Sequence, residues 1–336
     1  MSTRLTTFSK LLIVVVVMVI LFFLFQKFLP KFTGDNSGST PTEQKVENKS
    51  DNNNSSTAKT TNSHISNIKS FNYTPTKPKN GKLKGVVELG ASGFNSFIVN
   101  IDQKKNWELK KAEWGNSLVY DNMASAADIR GGLKKYITNI LDYGVNGRDI
   151  HFVVSSGAMK VGSTKKIISE LKNMNYVVNT VTPEQEARYA LKSVLPTRYK
   201  ATAFVVDIGS GNTKISWVQN DGSIKGIETY GAKYYKNNTP AKTVYQDVFD
   251  KSKMVPRKRT DVCFMIGGVP YKLAKAVRKG KERYTVLKAP KDNKVEGAKM
   301  EAGINIYKAI EDATGCDTYV FDWDANFTIG FLLDLH

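Results

Sequence analysis

The chain has 336 residues, 41% of them hydrophobic, enough for one large core or two ordinary ones, which excludes a disordered protein. Its cysteines, Cys263 and Cys316, and its histidines, His64, His151 and His336, are too scattered for a disulfide framework, a zinc site or a Ser-His-Asp hydrolase. The net charge of +18 suits an anionic partner; residues 1–80 hold ten basic and four acidic residues, so +12 of the excess lies on the remainder.

After a short tail, 1–10, Leu11 to Phe25 is an uninterrupted apolar run of 15 residues that extends to Leu29. It reads as one uncleaved transmembrane helix, 11–29, because no small-x-small cleavage site follows directly. Basic residues flank both ends (Arg4 and Lys10, then Lys27 and Lys31), so charge does not orient it. Residues 30–80 are Ser, Thr, Asn and Lys with few large apolar side chains, a composition that cannot bury enough surface to fold and reads as a disordered tether. The expected location is a cell membrane crossed once, with a lean toward an extracytoplasmic body.

The globular part begins near Gly81. Leu83 to Leu89 reads as a buried strand ending next to a carboxylate, Glu88, followed by a small-residue turn and a strand from Phe97 to Ile101. Ala126 to Tyr143 has helical periodicity, Ile150 to Val154 is a short strand, Lys165 to Met174 is helical and Tyr176 to Val181 is a strand. A marked helix start follows: Thr182 as N-cap, Pro183 at the first helical position and Gln185 at the capping-box position, which puts Glu186 in the first or second turn.

Phe204 to Asp207 repeats the first pattern 119 residues after Glu88, an apolar strand ending in a carboxylate and then Gly209-Ser210-Gly211-Asn212-Thr213. Glycines let backbone amides close on an oxyanion, Ser210 and Thr213 offer hydroxyls, and Asp207 can hold a hard cation. A plain hairpin with a Gly-Asn turn satisfies the same residues. Gly231 to Arg259 reads as a long, basic, irregular insert. Val262 to Ile266, Tyr271 to Arg278, Lys299 to Ala313, Tyr319 to Asp322 and Asn326 to Leu333 read as strand, helix, helix, strand and helix. The alternation argues for an α/β protein, and the repeated hairpins for two related lobes, 81–201 and 202–336.

The motif order GxSxxNSF (Gly90 to Phe97), VxSxAxK (Val154 to Lys160), TPEQEARYA (Thr182 to Ala190), VVDIGSGNT (Val205 to Thr213), IGG (Ile266 to Gly268) and FDWDANFTIGFLL (Phe321 to Leu333) resembles the exopolyphosphatase and guanosine pentaphosphatase (Ppx/GppA) family. The resemblance implies an actin-like (ribonuclease H-like) two-lobed fold in its short form, with duplicated β-hairpin phosphate loops. It implies that Gly90, Ser92, Asn95 and Ser96 grip phosphate from one lobe and Gly209, Ser210, Gly211, Asn212 and Thr213 from the other. Glu186 matches the catalytic glutamate that orients and deprotonates water, and Asp207 and Glu88 would hold Mg²⁺. Lys160 stands where the family usually has a phosphate-binding arginine, and Glu88 where it usually has Asp. Arg188, Gly267 and Gly268 are further candidate substrate contacts.

The implied activity is phosphoanhydride hydrolysis on polyphosphate or a guanosine tetra- or pentaphosphate. An apyrase-like nucleoside di- or triphosphatase, or a catalytically weak module binding nucleotide or polyphosphate, are the alternatives. Family members are often dimers, and no specific nucleic-acid partner is expected.

Overall fold

Each of the two strand, glycine-turn, strand segments forms the centre of its own sheet. The computed structural model describes residues 71–90, 93–114, 125–160 and 162–335, all within one compact unit. The apolar run 11–29 and residues 30–70 of the expected tether lie outside the described residues, whereas its last part, 71–80, departs from the disorder expected: Phe71 and Tyr73 pack against the central core, Phe71 meeting the rings of Tyr199, Phe264 and Tyr284. No helix among the described residues is long and apolar enough to cross a membrane.

In the first sheet β1 (Lys82–Gly90), β2 (Gly93–Ile101) and β3 (Trp107–Trp114) form an antiparallel meander, with β4 (Ile150–Val154) and β5 (Val178–Thr180) added in parallel beside β1, in the order β3-β2-β1-β4-β5. The second sheet repeats this plan. Here β6 (Ala203–Ile208), β7 (Asn212–Val218) and β8 (Ile224–Tyr230) are the meander, and β9 (Val262–Ile266) pairs in parallel with β6. β10 (Tyr284–Val286) and β11 (Tyr319–Asp322) complete the order β10-β11-β9-β6-β7-β8.

Strand alternation sorts the side chains into three cores. Val87 and Leu89 of β1, with Phe94 and Ile98 of β2, pack under helices α1 (Ala126–Asp142) and α2 (Thr164–Asn173). Phe204, Val206 and Ile208 of β6, with Ile215 and Trp217 of β7, pack under α4 (Ala241–Ser252), α5 (Gly268–Val277) and α6 (Ala298–Thr314). The opposite faces, carrying Val86, Phe97, Val205 and Phe264, share a central core with α3 (Pro183–Val194) and α7 (Phe327–Asp334). Glu88 has the parity of Val86 and Asp207 that of Val205, so both carboxylates leave their strands toward the region between the sheets.

The helix start at Thr182 forms as its sequence predicts. Gln185 N donates to Thr182 Oγ1 at 3.2 Å and Thr182 N to Gln185 Oε1 at 2.9 Å, satisfying two orphan ends reciprocally. α3 and α7 cross tightly at Gly330, where a Cβ would fall 1.8 Å from the Tyr189 carbonyl oxygen. Only glycine permits that approach.

The region 231–259 departs from the irregular insert expected. It holds α4, whose Val244 and Val248 are buried one turn apart while Tyr245 and Phe249 pack partly beside them. Gln246 and Asp247 interrupt these apolar positions and Lys242 and Lys251 flank them, which dilutes the helical stripe in the sequence. Strands β3, β8 and β10 are additional to the expected elements, and each is short or lies at a sheet edge.

Candidate active site

A cavity of about 650 Å³ opens between the ends of the two central hairpins, and Glu88, Asn95, Glu186, Asp207, Asn212 and Lys214 all line it. Its floor is an ion pair. Glu186, in the first turn of α3, accepts at Oε1 from Lys214 Nζ at 2.7 Å, with the two side chains only 3% and 4% exposed. Oε2 accepts from the Ser156 amide at 3.1 Å and from the Ser156 hydroxyl. Two buried charges at this depth persist only because each neutralises the other and the remaining lone pairs find donors. Ser156 also accepts from Asn212 Nδ2 at 3.0 Å, tying the β4 end of the first sheet to the second hairpin.

Lys214 sits on β7 directly opposite Asp207 of β6, on the same face. Burial pushes the Asp207 carboxyl up to about 6, against the opposing pull of Lys214, with Glu186 adding a further upward push. Glu88 is pushed up to about 7, chiefly by burial; hydrogen bonds from Asn95 and Asn326 oppose this, and the charges of Glu186 and Asp207 reinforce it. Both amides donate to the same oxygen, Glu88 Oε2, at 3.0 Å.

Gly209, Ser210, Gly211 and Asn212 line the cavity as a tight turn, with Gly209 N donating to Asn212 O at 3.0 Å. A Cβ on Gly209 would lie 2.7 Å from that oxygen. Behind the turn, Ala232 N donates to Gly209 O at 2.9 Å and Lys233 N to Ser210 O at 3.0 Å. Gly231 runs so close that a Cβ there would come within 2.3 Å of Asn212 N. Gly267, at φ +100°, passes Asp207 at a distance where a Cβ would reach 2.6 Å from its Oδ1. Gly90 and Gly268 also line the cavity.

At the opposite wall the cavity is aromatic and basic. Trp323 lies 3.8 Å beneath the Arg278 guanidinium, with its indole N–H donated to Thr285 Oγ1 at 2.8 Å. Tyr271 meets the Trp323 ring at 5.4 Å and the Trp114 ring at 6.5 Å between centroids, and Trp114 is 63% exposed. Lys299 also lines this side, its ammonium pushed down by burial and by Lys233 and Lys272 nearby.

Several solved structures share this architecture. The Aquifex aeolicus member of the Ppx/GppA family aligns at 18% identity and TM-score 0.55, covering 75% of this chain and 96% of that one. An Aquifex aeolicus PPX-GPPA enzyme aligns at 17% and 0.57, covering 76% and 99%. An exopolyphosphatase from Cytophaga hutchinsonii aligns at 12% and 0.59, covering 75% and 98%. The fold is that of the Ppx/GppA structures. No family model matches the sequence, and no curated protein matches it. At these identities the likeness is one of fold.

Within the Ppx/GppA fold the structure gathers Glu186, Asp207, Glu88, Gly90, Asn95, Gly267, Gly268 and the 209–212 turn around one cavity, and sends other candidates elsewhere. Ser96 pairs with Val87, on the face packed under α1 and α2, and Thr213 has the parity of Ile215, facing the opposite core with Oγ1 unpartnered. Strand alternation therefore turns both hydroxyls away from the cavity. Arg188 is drawn to Asp334 of α7 at 2.6 Å, and Lys160 stands outside the cavity wall, exposed and 3.4 Å from Glu228. Ser92 lies outside the described residues. Lys214 is an addition from outside the motifs, and Ser156 and Asn326, which lie within them, are not singled out there as site residues.

The structure does not itself show the expected Mg²⁺ site. Among the described residues no three acidic, histidine or cysteine side chains gather closely enough to hold a metal ion. Glu186 is engaged by Lys214 and Ser156, whereas Glu88 receives both amides on Oε2, so that Glu88 Oε1 and the Asp207 carboxylate are the acidic oxygens left open at the cavity.

Proposed function

We propose that the protein is a membrane-anchored phosphoanhydride hydrolase of the Ppx/GppA type, acting on polyphosphate or on a guanosine tetra- or pentaphosphate. The observation that carries this reading is Glu186, a buried carboxylate at a helix start, aimed into a cavity that a glycine turn lines from the other side. Water attacks a terminal phosphorus, the bond to the bridging oxygen breaks, the shortened chain leaves with those electrons, and the water proton passes to Glu186. Lys214 and Ser156 hold the Glu186 carboxylate in place at the cavity. The backbone of the 209–212 turn and the cations at the rim supply position and charge stabilisation, which is most of what phosphoryl transfer asks of a protein.

The aromatic wall favours the base-bearing substrates, guanosine polyphosphate or a nucleoside di- or triphosphate, over bare polyphosphate. A nucleobase stacks on Trp114 or Tyr271, and a phosphate chain has no use for either. The Glu186–Lys214 pair also supports a second reading, a module that binds such ligands with little turnover, because both oxygens of the Glu186 carboxylate are already taken up by Lys214 and Ser156.

Phosphate release from polyphosphate, guanosine pentaphosphate and ATP, compared between the wild type and Glu186→Gln, tests the hydrolase. Release by the wild type alone is expected, and equal rates would sink it. The apolar run 11–29 supports the anchor, and the tether supports a body outside the cytoplasm. Complete resistance of the body to protease added to intact spheroplasts would reverse that placement.

A further inference from the structure

The cavity floor carries a fixed positive charge where the fold leads one to look for a metal. We infer that Lys214 is the resident cation of this site, standing between the carboxylates of Glu186 and Asp207, and that the phosphate chain is bound without a divalent metal. The inference rests on the reading of the cavity as a phosphate site.

Three observations carry it. The first is placement: pairing register sets Lys214 opposite Asp207, and its ammonium reaches Glu186 on α3 at 2.7 Å, so the amine is bonded to one cavity carboxylate and stands across the strand pair from another. The second is unused capacity. An ammonium carries three N–H donors, and among the described residues Lys214 spends its bonding on Glu186 alone, although its side chain is 4% exposed and lines the cavity. A buried ammonium with donors to spare, facing a cavity, is arranged to receive acceptor oxygens. The third is exclusion. A divalent ion seated on Asp207 would face this ammonium across the strand pair, and like charges repel. Phosphate oxygens meet the opposite situation, with Lys214 at the floor and Arg278 and Lys299 at the rim.

The probe is tripolyphosphate, and the measurement is calorimetric titration of the full chain in excess EDTA and in millimolar Mg²⁺. Wild-type affinity is expected to change little between the two media. Lys214→Met is expected to weaken binding in EDTA by about tenfold or more, the loss of a charge-assisted hydrogen bond, while Lys214→Arg retains most of it. Because Lys214→Met leaves Glu186 buried and unpaired, the double variant Lys214→Met with Glu186→Gln supplies a neutral floor, and thermal melting checks that each variant folds. Wild-type binding that requires Mg²⁺, or undiminished binding by the folded Met variants in EDTA, overturns the inference and leaves the phosphate site standing. No binding by the wild type in either medium overturns the phosphate site itself and the inference with it.

Discussion

Asn326 Nδ2 donates to Glu88 Oε2 at 3.0 Å, so the cap residue of the last helix and the closing carboxylate of the first strand hold one wall of the cavity together. The bond spans 238 positions of sequence and makes Glu88 a structural acceptor as much as a site residue.

Burial of that carboxylate has a pH signature. The folded chain retains the Glu88 proton up to about 7, and the unfolded chain releases it near 4.5, so between these values the native state binds more protons and stability falls as pH rises. Asp207 acts in the same sense between 3.8 and about 6. Glu88→Gln keeps an acceptor for Asn95 and Asn326 and removes the ionisation. Urea unfolding should find it more stable than the wild type at pH 8 by about 3 kcal/mol, with the gap closing toward pH 4. A gap independent of pH would contradict the burial of the charge.

Glu186→Gln is expected to cut turnover by about 10²- to 10⁴-fold, the usual range for a lost general base. Affinity for tripolyphosphate should hold or rise, because Lys214 then offers its whole charge to the ligand. Loss of the buried ion pair should also cost about 3 kcal/mol in unfolding free energy. A variant that turns over at the wild-type rate would remove Glu186 from the chemistry.

Gly330→Ala should destabilise the protein by about 3 kcal/mol or more, since a Cβ would sit 1.8 Å from the Tyr189 carbonyl oxygen and α3 and α7 would have to part. A glycine in open space gives the contrast. Gly131 of α1 has nothing within 4 Å of its Cβ position, and Gly131→Ala should stabilise by about 0.5–1 kcal/mol through helix propensity. Thermal melting of both variants separates a steric from a conformational effect.

Trp114→Ala removes an exposed ring held edge-on by Phe97 at 5.4 Å. If a base stacks there, affinity for ATP or guanosine pentaphosphate should fall by about 1–3 kcal/mol, with tripolyphosphate unaffected. An equal loss for all three ligands would mean that the ring shapes the cavity without reading a base.

The sequence made the central strands legible because their signal is local, an apolar run, a carboxylate and a glycine turn read within ten residues. The Thr182 cap was equally legible, since the residues that satisfy one another lie three apart. Ser96 and Thr213 were misplaced although the period-two rule was available: counting from Glu88 across its partner Asn95, or from Asp207 across Lys214, turns both hydroxyls to the other face. Lys214 itself was not legible. A lysine in a strand reads as solvent-facing, and only a helix arriving from earlier in the chain, with Glu186 at its tip, makes its burial tolerable. The wall formed by Trp114, Tyr271 and Trp323 was hidden for the same reason, its members coming from β3, α5 and the segment after β11.

Gly231 gives the 209–212 turn a backstop made of main chain. With Ala232 and Lys233 bonded to the carbonyls of Gly209 and Ser210, and no room for a side chain between, the turn is gauged before any ligand arrives. A ligand that bonded to this turn would spend little ordering entropy there.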